Sequence, residues 1–195
     1  MDIANAIAAA WHDVESAYSK GYLVNESMMA FVIWKALTSK MPDVQITYDA
    51  RILADQRFRP DLVVWRDGDE PCVLFVGELK FVPDGYPVYE GDIAKLDSIR
   101  ECEALDVLTR CPATGQLTER RIPCAEDFSF GFFVVGRGDA VAVDFDAVIA
   151  GINPAGRSRF HFAIGTVSGL ENSPSRFRYY EPEPNSWGSI NDDAQ

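Results

Sequence analysis

Two acids and a lysine interrupt stretches of this sequence that are otherwise typical of buried β-strands. Asp61 directly precedes the apolar run 62–65, and Glu78 and Lys80 follow the apolar run 73–76. Consecutive apolar residues indicate strands that are covered on both faces. An isolated charge is costly in such surroundings, so these side chains need partners. A divalent cation is the simplest partner for two facing carboxylates, because hard cations prefer oxygen ligands.

The sequence between the two apolar runs predicts a β-hairpin. Residues 66–71, Arg-Asp-Gly-Asp-Glu-Pro, are rich in turn-forming types. Glu78 and Lys80 share a face because strand side chains alternate. Asp61 joins that face if the loop holds an even number of residues, whereas an odd loop or a bulge would change the register. Facing carboxylates repel each other, and a bound cation would turn that repulsion into chelation.

These residues carry a resemblance to a known family. Pro60-Asp61, a hydrophobic hairpin and then Glu78-Leu79-Lys80 resemble the core motif of the PD-(D/E)XK nuclease superfamily, which has the restriction-endonuclease-like fold. That family often has a glutamate early in the helix before the sheet, where Glu26 stands here. It also has a helix after the Glu-x-Lys strand, similar to the segment that begins near Asp92. The resemblance covers about residues 22–105, with a further strand expected beyond it.

The resemblance implies an α/β sandwich with a central mixed β-sheet flanked by helices. It also implies a Mg²⁺- or Mn²⁺-dependent endonuclease that hydrolyses phosphodiester bonds in nucleic acid, with DNA favoured over RNA. Asp61, Glu78, the carbonyl group of Leu79 and Glu26 would hold the cation. Lys80 would orient the attacking water or stabilise the charge of the transition state. Asp61, Glu78 and Lys80 are therefore the expected catalytic residues.

Three further residues are candidate accessories, and each has a simpler explanation. Asp92 and Lys95 stand at helical spacing and would also form an ordinary solvated i, i+3 pair. Arg59 clusters with Arg51 and Arg57 just before the first strand of the hairpin. These arginines would contact phosphates at the rim of the site, or lie in a solvated loop.

Glu26 and the histidines also have structural explanations. An acid near a helix N-terminus is favoured by the helix dipole whatever its function, and Glu15 is the substitute for Glu26 in the site. His161 alternates within an apolar strand, which favours a core histidine over a general base. The four cysteines have no paired metal-ligand spacing and are expected to be free thiols.

The charge of the chain limits which partners it can bind unaided. The net charge is −12, and the residues before Glu171 still carry 25 acids against 16 bases, a net charge of −9. Proteins that grip long duplex DNA are usually basic. We therefore expect weak non-specific affinity, a small or structured substrate, or a protein partner or second copy that supplies the grip. The alternative is a catalytically idle protein of this fold that serves as a binding or assembly subunit.

Length and pattern predict one domain over residues 1–170 and a mobile acidic tail, rich in Pro and Asn, over 171–195. The N-terminus lacks the basic region of a signal peptide, and no apolar run approaches the ~20 residues of a membrane helix. A cytoplasmic protein without a membrane segment is expected. The pattern predicts helices at about 3–19, 25–39, 88–104 and 139–152. It predicts strands at 44–48, 62–65, 73–76 with a continuation through Glu78 and Lys80, 128–135 and 159–167.

Overall fold

The structure is a computed structural model of the 195-residue chain. It describes residues 2–48, 59–83, 90–110, 114–137, 152, 159–167, 176–181 and 186–189. The helices are α1 (Ile3–Ser19), α2 (Glu26–Lys40) and α3 (Glu90–Ile99). The strands are β1 (Val44–Tyr48), β2 (Leu62–Arg66), β3 (Cys72–Val82), β4 (Ala104–Arg110), β5 (Leu117–Arg137), β6 (Phe160–Val167), β7 (Arg176–Glu181) and β8 (Ser186–Ser189).

The strands form one mixed sheet in the order β1-β2-β3-β5-β6-β7-β8, with β4 paired to β5. The pairs β3–β5 and β5–β6 are parallel, and the other pairs are antiparallel. The long strand β5 pairs with β4 over its first residues and then runs between β3 and β6 at the centre of the sheet.

Helices cover both faces of this sheet, so the predicted α/β sandwich is confirmed at that level. On one face, α1 and α2 pack against Phe75, Phe133 and Phe177. On the other face, Leu96 and Ile99 of α3 join the cluster beneath the hairpin and β5. We call the second surface the α3 face, and it carries the candidate site described below.

Two helix predictions are confirmed closely, and both helices have polar caps. Asp2 accepts a hydrogen bond from the backbone N–H of Asn5 (2.9 Å) at the start of α1. Asn25 accepts one from the backbone N–H of Met28 (2.9 Å) at the start of α2. Each cap satisfies a donor that the first helical turn leaves without a partner. The cap on Asn25 fixes where α2 begins and places Glu26 in its first turn.

The third predicted helix, 88–104, is too long in the prediction. The described helix ends at Ile99, where the backbone N–H of Cys102 donates to the carbonyl oxygen of Ile99 (2.8 Å). Strand β4 begins at Ala104 because Leu105 and Val107 are buried against the first part of β5. Residues 88–89 and the predicted helix 139–152, except Ile152, lie outside the described residues.

Within the predicted tail, residues 176–181 and 186–189 form β7 and β8. Phe177 and Tyr179 are almost fully buried, at 2% and 3% exposure. Both pack in the cluster beneath α1 and α2. The sheet therefore extends past the predicted end of the domain at residue 170.

Candidate functional site

A β-bulge brings Asp61 and Glu78 to the same face of the hairpin. Arg66 pairs with Cys72, which leaves an odd loop of five residues. With that loop alone, Asp61 would lie across from Gly77. The register shifts by one residue between Val64 and Trp65, so that Leu62 pairs with Gly77. The extra residue in β3 restores the arrangement in which Asp61 lies across from Glu78, although the loop does not meet the predicted even count.

Asp61 is held in place by the backbone of the opposite strand. Its Oδ2 atom accepts a hydrogen bond from the backbone N–H of Leu79 at 2.8 Å. This contact lies just beyond the last β2–β3 pair, where the ladder no longer supplies a partner. Asp61 therefore extends the hydrogen bonding of the hairpin through its side chain.

Glu78 is a buried carboxyl group beside another carboxylate. Only 5% of the residue is exposed. Burial, the negative charge of Asp61 and a hydrogen bond to Asp61 raise the pKa of Glu78 to about 9. Its Oε1 atom is buried and has no hydrogen-bond partner among the described residues. An acceptor oxygen in this position has capacity for a further ligand.

Lys80 reaches Asp92 on α3, and Asp92 joins two lysines. The Lys80 Nζ atom lies 2.9 Å from Asp92 Oδ2, and the Lys95 Nζ atom lies 2.8 Å from Asp92 Oδ1. Burial opposes ionisation of Asp92, but the hydrogen bonds from both lysines outweigh it and hold its pKa below the ordinary value. The predicted i, i+3 pair of Asp92 and Lys95 is present. It is not an isolated solvated pair, because Asp92 is buried and also binds Lys80.

Glu26 lies at the edge of the same cluster. Its pKa is raised first by partial burial and then by the charge of Asp61, while a backbone hydrogen bond from Phe81 and the charge of Lys80 act in the opposite direction. The first turn of α2 therefore faces the end of the hairpin. Glu15, the substitute for this position, instead lies 3.6 Å from His12 within α1, measured between Oε2 and Nδ1.

The remaining candidates separate into exposed, buried and undescribed residues. Arg59 is described and exposed, just before the hairpin, whereas Arg51 and Arg57 lie outside the described residues. His161 is buried, and its Nδ1 atom lies 2.6 Å from the hydroxyl group of Tyr179. Burial lowers the pKa of His161 to about 4. The prediction of a core histidine is therefore confirmed.

The donor set suits a hard divalent cation as a two-carboxylate site completed by water. Within the ranges that the structure describes, no group of three or more His, Cys, Asp or Glu side chains forms a ready metal cage. Asp61 and Glu78 are adjacent carboxylates, and the Oε1 atom of Glu78 lacks a partner among the described residues. Mg²⁺ usually keeps several waters and takes only one or two carboxylates, so two acidic side chains are sufficient.

The charge balance of the cluster also favours a bound divalent cation. Four carboxylates, those of Glu26, Asp61, Glu78 and Asp92, interact with the ammonium groups of Lys80 and Lys95. Full ionisation leaves two negative charges uncompensated within this set. The raised pKa of Glu78 relieves part of that excess when no cation is bound, and one divalent cation would neutralise it.

No protein-family model, curated protein or solved structure matches this chain significantly. No helix in the described ranges is both long enough and apolar enough to cross a membrane.

Proposed function

We propose that this chain is a divalent-cation-dependent nuclease of the restriction-endonuclease-like fold that hydrolyses phosphodiester bonds in nucleic acid, with DNA favoured over RNA. The proposal rests mainly on one observation. Asp61 and Glu78 face each other at the end of a hairpin, with Lys80 on the same face. A helix carrying Glu26 precedes the hairpin and a helix carrying Asp92 follows it, in the order typical of the PD-(D/E)XK superfamily.

The acidic residues divide into direct ligands and supporting groups. Asp61, Glu78 and the carbonyl group of Leu79 would hold Mg²⁺ or Mn²⁺, with Glu26 acting directly or through water. A bound divalent cation supplies Lewis-acid polarisation of the phosphate and a lowered pKa for the attacking water. Leu79 has a second role, because its backbone N–H fixes the Asp61 carboxylate.

Lys80 would carry positive charge to the reacting phosphate. Burial opposes its charged form, but the hydrogen bond and charge of Asp92 outweigh this and raise the pKa of Lys80. The ammonium group therefore stays protonated at neutral pH. A preorganised cation stabilises the negative charge that develops on the phosphate oxygens in the transition state. Asp92 is a positioning residue in this scheme, since it acts through Lys80.

The acidic character of the chain limits the substrate. A net charge of −12 repels a long polyanion, and counterion release on a few basic residues gives little compensation. We expect short, single-stranded or branched nucleic acid to be cut in preference to long duplex DNA, or the chain to act with a basic partner protein or as a homodimer.

Cleavage of single-stranded, duplex and branched DNA and of RNA, with Mg²⁺, Mn²⁺ or EDTA, tests the proposal. Lys80→Ala should abolish cleavage, while Lys40→Ala, which removes an exposed lysine at the end of α2, should leave it unchanged. Cleavage that survives both EDTA and Lys80→Ala would reject the assigned site.

The acidic surface also favours a second function, that of an idle nuclease-like subunit that binds a basic protein partner. Calorimetry with Mn²⁺ distinguishes the two. No heat and no change in melting temperature would support the interaction protein, whereas binding that Asp61→Asn abolishes would support the nuclease.

A further inference from the structure

A cleft lined by both polar and apolar side chains lies on the same face of the sheet as the candidate site. It has a volume of about 660 Å³ and lies between strand β1, the end of β2 and the β4–β5 hairpin. Pockets of roughly 300–1,000 Å³ hold drug-sized ligands, and a nucleotide falls in that class. The cleft is therefore large enough for a nucleotide and far too small for a duplex.

Strand β2 connects this cleft to the carboxylate pair. Val63 and Trp65 belong to the core cluster of the α3 face. Asp61 lies two residues before Val63, so the three side chains share that face of the strand. Trp65 lines the cleft, as does Thr47, which pairs with Val63. Four residues of strand span about 13 Å, which is the separation along β2 between Asp61 and the edge of the cleft at Trp65.

The cleft is locally cationic although the chain is strongly acidic. Arg110 and Arg120 line it together with a single acid, Asp67. The Nη1 atom of Arg120 lies 3.0 Å from Oδ1 of Asp67. The guanidinium group of Arg120 also lies over the ring of Trp65, with Cζ 5.2 Å from the ring centroid. Arg110 donates a hydrogen bond to the carbonyl oxygen of Gly115, which is neutral, so that its charge is not cancelled by this contact.

The other lining groups suit a sugar–phosphate chain and a base. Thr47, Thr118 and Gln45 supply neutral hydroxyl and amide groups of the kind that contact phosphate and sugar. Tyr48 is 43% exposed at the end of β1 and adds an aromatic side chain to the lining. Phosphate donors and an aromatic surface in one cleft indicate a nucleotide ligand.

We propose that this cleft binds a single-stranded flank of the nucleic acid that the carboxylate site cuts, with Arg110 and Arg120 contacting its phosphates. The assignment rests on the proposed nuclease function for its substrate. It explains how a chain of net charge −12 would hold a polyanion, because the cleft carries two arginines against one acid.

Fluorescence anisotropy with a labelled oligodeoxythymidine, in EDTA, tests the cleft without any hydrolysis. Arg110→Ala should weaken binding by roughly tenfold, the usual effect of losing one charge-assisted hydrogen bond. It should also reduce the salt-dependence slope by about 0.7. Asp67→Asn should tighten binding, because it removes the acid of the cleft and releases Arg120.

Arg121→Ala is the matched control. Arg121 is adjacent to Arg120 but pairs with Asp106, with 66% of its side chain exposed, and it does not line the cleft. It should leave binding almost unchanged. Equal losses in Arg110→Ala and Arg121→Ala, or a wild-type protein that does not bind, would overturn the assignment. So would equal affinity for free deoxythymidine monophosphate, since the ligand would then be a nucleotide and not a strand.

The binding and cleavage results are separable. If the protein binds the oligonucleotide through Arg110 but never cuts it, the binding role of the cleft stands and the nuclease proposal is rejected. If cleavage requires Asp61 and Lys80 but oligonucleotide binding does not depend on Arg110, the nuclease proposal stands and the binding role of the cleft is rejected.

Discussion

The backbone N–H of Leu79 holds the Asp61 carboxylate at 2.8 Å, and this contact fixes Asp61 across the hairpin from Glu78. Asp61 cannot easily turn away when Glu78 ionises. The two carboxylates must therefore share a proton, share a cation or repel each other. The protonation of Glu78 accordingly becomes the measurable property of this site.

The first prediction is that stability falls with pH when no cation is present. The pKa of Glu78 is raised to about 9 in the folded state, from an ordinary value of 4.5. Between these values the folded state keeps a proton that the unfolded state has lost, so the free energy of unfolding decreases as pH rises. The slope is at most about 1.4 kcal/mol per pH unit. Denaturant titrations in EDTA from pH 7 to 9 measure it.

Glu78→Gln is the control for this slope, because it retains the size of the side chain and cannot ionise. The variant should lose most of the pH dependence and be more stable than the parent at pH 9. The window begins at pH 7 to exclude His161, whose lowered pKa of about 4 gives stability that rises between about pH 4 and 6.5. Parallel slopes for the parent and Glu78→Gln would contradict the prediction.

The second prediction is that Mn²⁺ binding at pH 7 releases about one proton, because Glu78 must ionise before it can act as a ligand. Apparent affinity should then increase by up to about tenfold per pH unit until pH 9. Calorimetry in two buffers with different ionisation enthalpies counts the proton. Glu78→Gln should abolish both the binding and the release. Tight binding with no proton exchange would show that Glu78 is not a ligand.

The third prediction concerns Asp92 as the partner of Lys80. Asp92→Asn should reduce the cleavage rate by roughly 10–100-fold, the usual effect of losing a supporting partner. Without the Asp92 charge, the pKa of Lys80 should fall, so the remaining activity should decline at a lower alkaline pH than in the parent. Lys95→Ala leaves the Lys80–Asp92 contact intact and should have a much smaller effect on both the rate and the pH profile. Equal effects of the two variants would contradict the role of Asp92.

The sequence predicted the two strands of the hairpin but not the register that joins the carboxylates. The run Val73-Leu74-Phe75-Val76 is apolar at every position, so it contains no alternation that could reveal a one-residue bulge. The predicted condition, an even loop, was wrong: the observed loop is odd, and the bulge restores the shared face. Counting loop residues alone could not predict this combination.

The contact between Lys80 and Asp92 could not be predicted from the sequence either, because it depends on how α3 packs against the hairpin. The strands within the predicted tail were missed for a different reason. Pro, Glu, Asn and Ser dominate its composition and masked the alternation of Phe177 and Tyr179 with arginines, which is the pattern of a half-buried strand. Local composition outweighed a short periodic signal in that prediction.

The fourth prediction tests the close packing of the central strands. A Cβ atom at Gly131 would lie 2.9 Å from the carbonyl oxygen of His161 and 2.9 Å from Cζ of Phe75. The backbone carbonyl cannot move aside easily, so Gly131→Ala should lower the free energy of unfolding by about 1–3 kcal/mol. Gly91→Ala is the control, because a Cβ atom there meets nothing within 4 Å and lies in α3. It should stabilise by about 0.4–1 kcal/mol. Denaturant titrations measure both free energies of unfolding. A Gly131→Ala variant as stable as the parent would contradict this packing.

The fifth prediction is that the domain requires the strands beyond residue 170. Phe177 packs against Trp11 and Tyr18, with ring centroids 5.5 and 5.7 Å away, so it joins β7 to α1. Phe177→Ala should lower the free energy of unfolding by about 3–5 kcal/mol. Truncation after residue 170 should abolish cooperative unfolding, whereas truncation after Ser189 retains the eight strands that the structure describes and should preserve it. Circular dichroism during thermal unfolding distinguishes these cases. A chain ending at residue 170 that melts like the parent would show that β7 contributes little, in disagreement with the burial of Phe177.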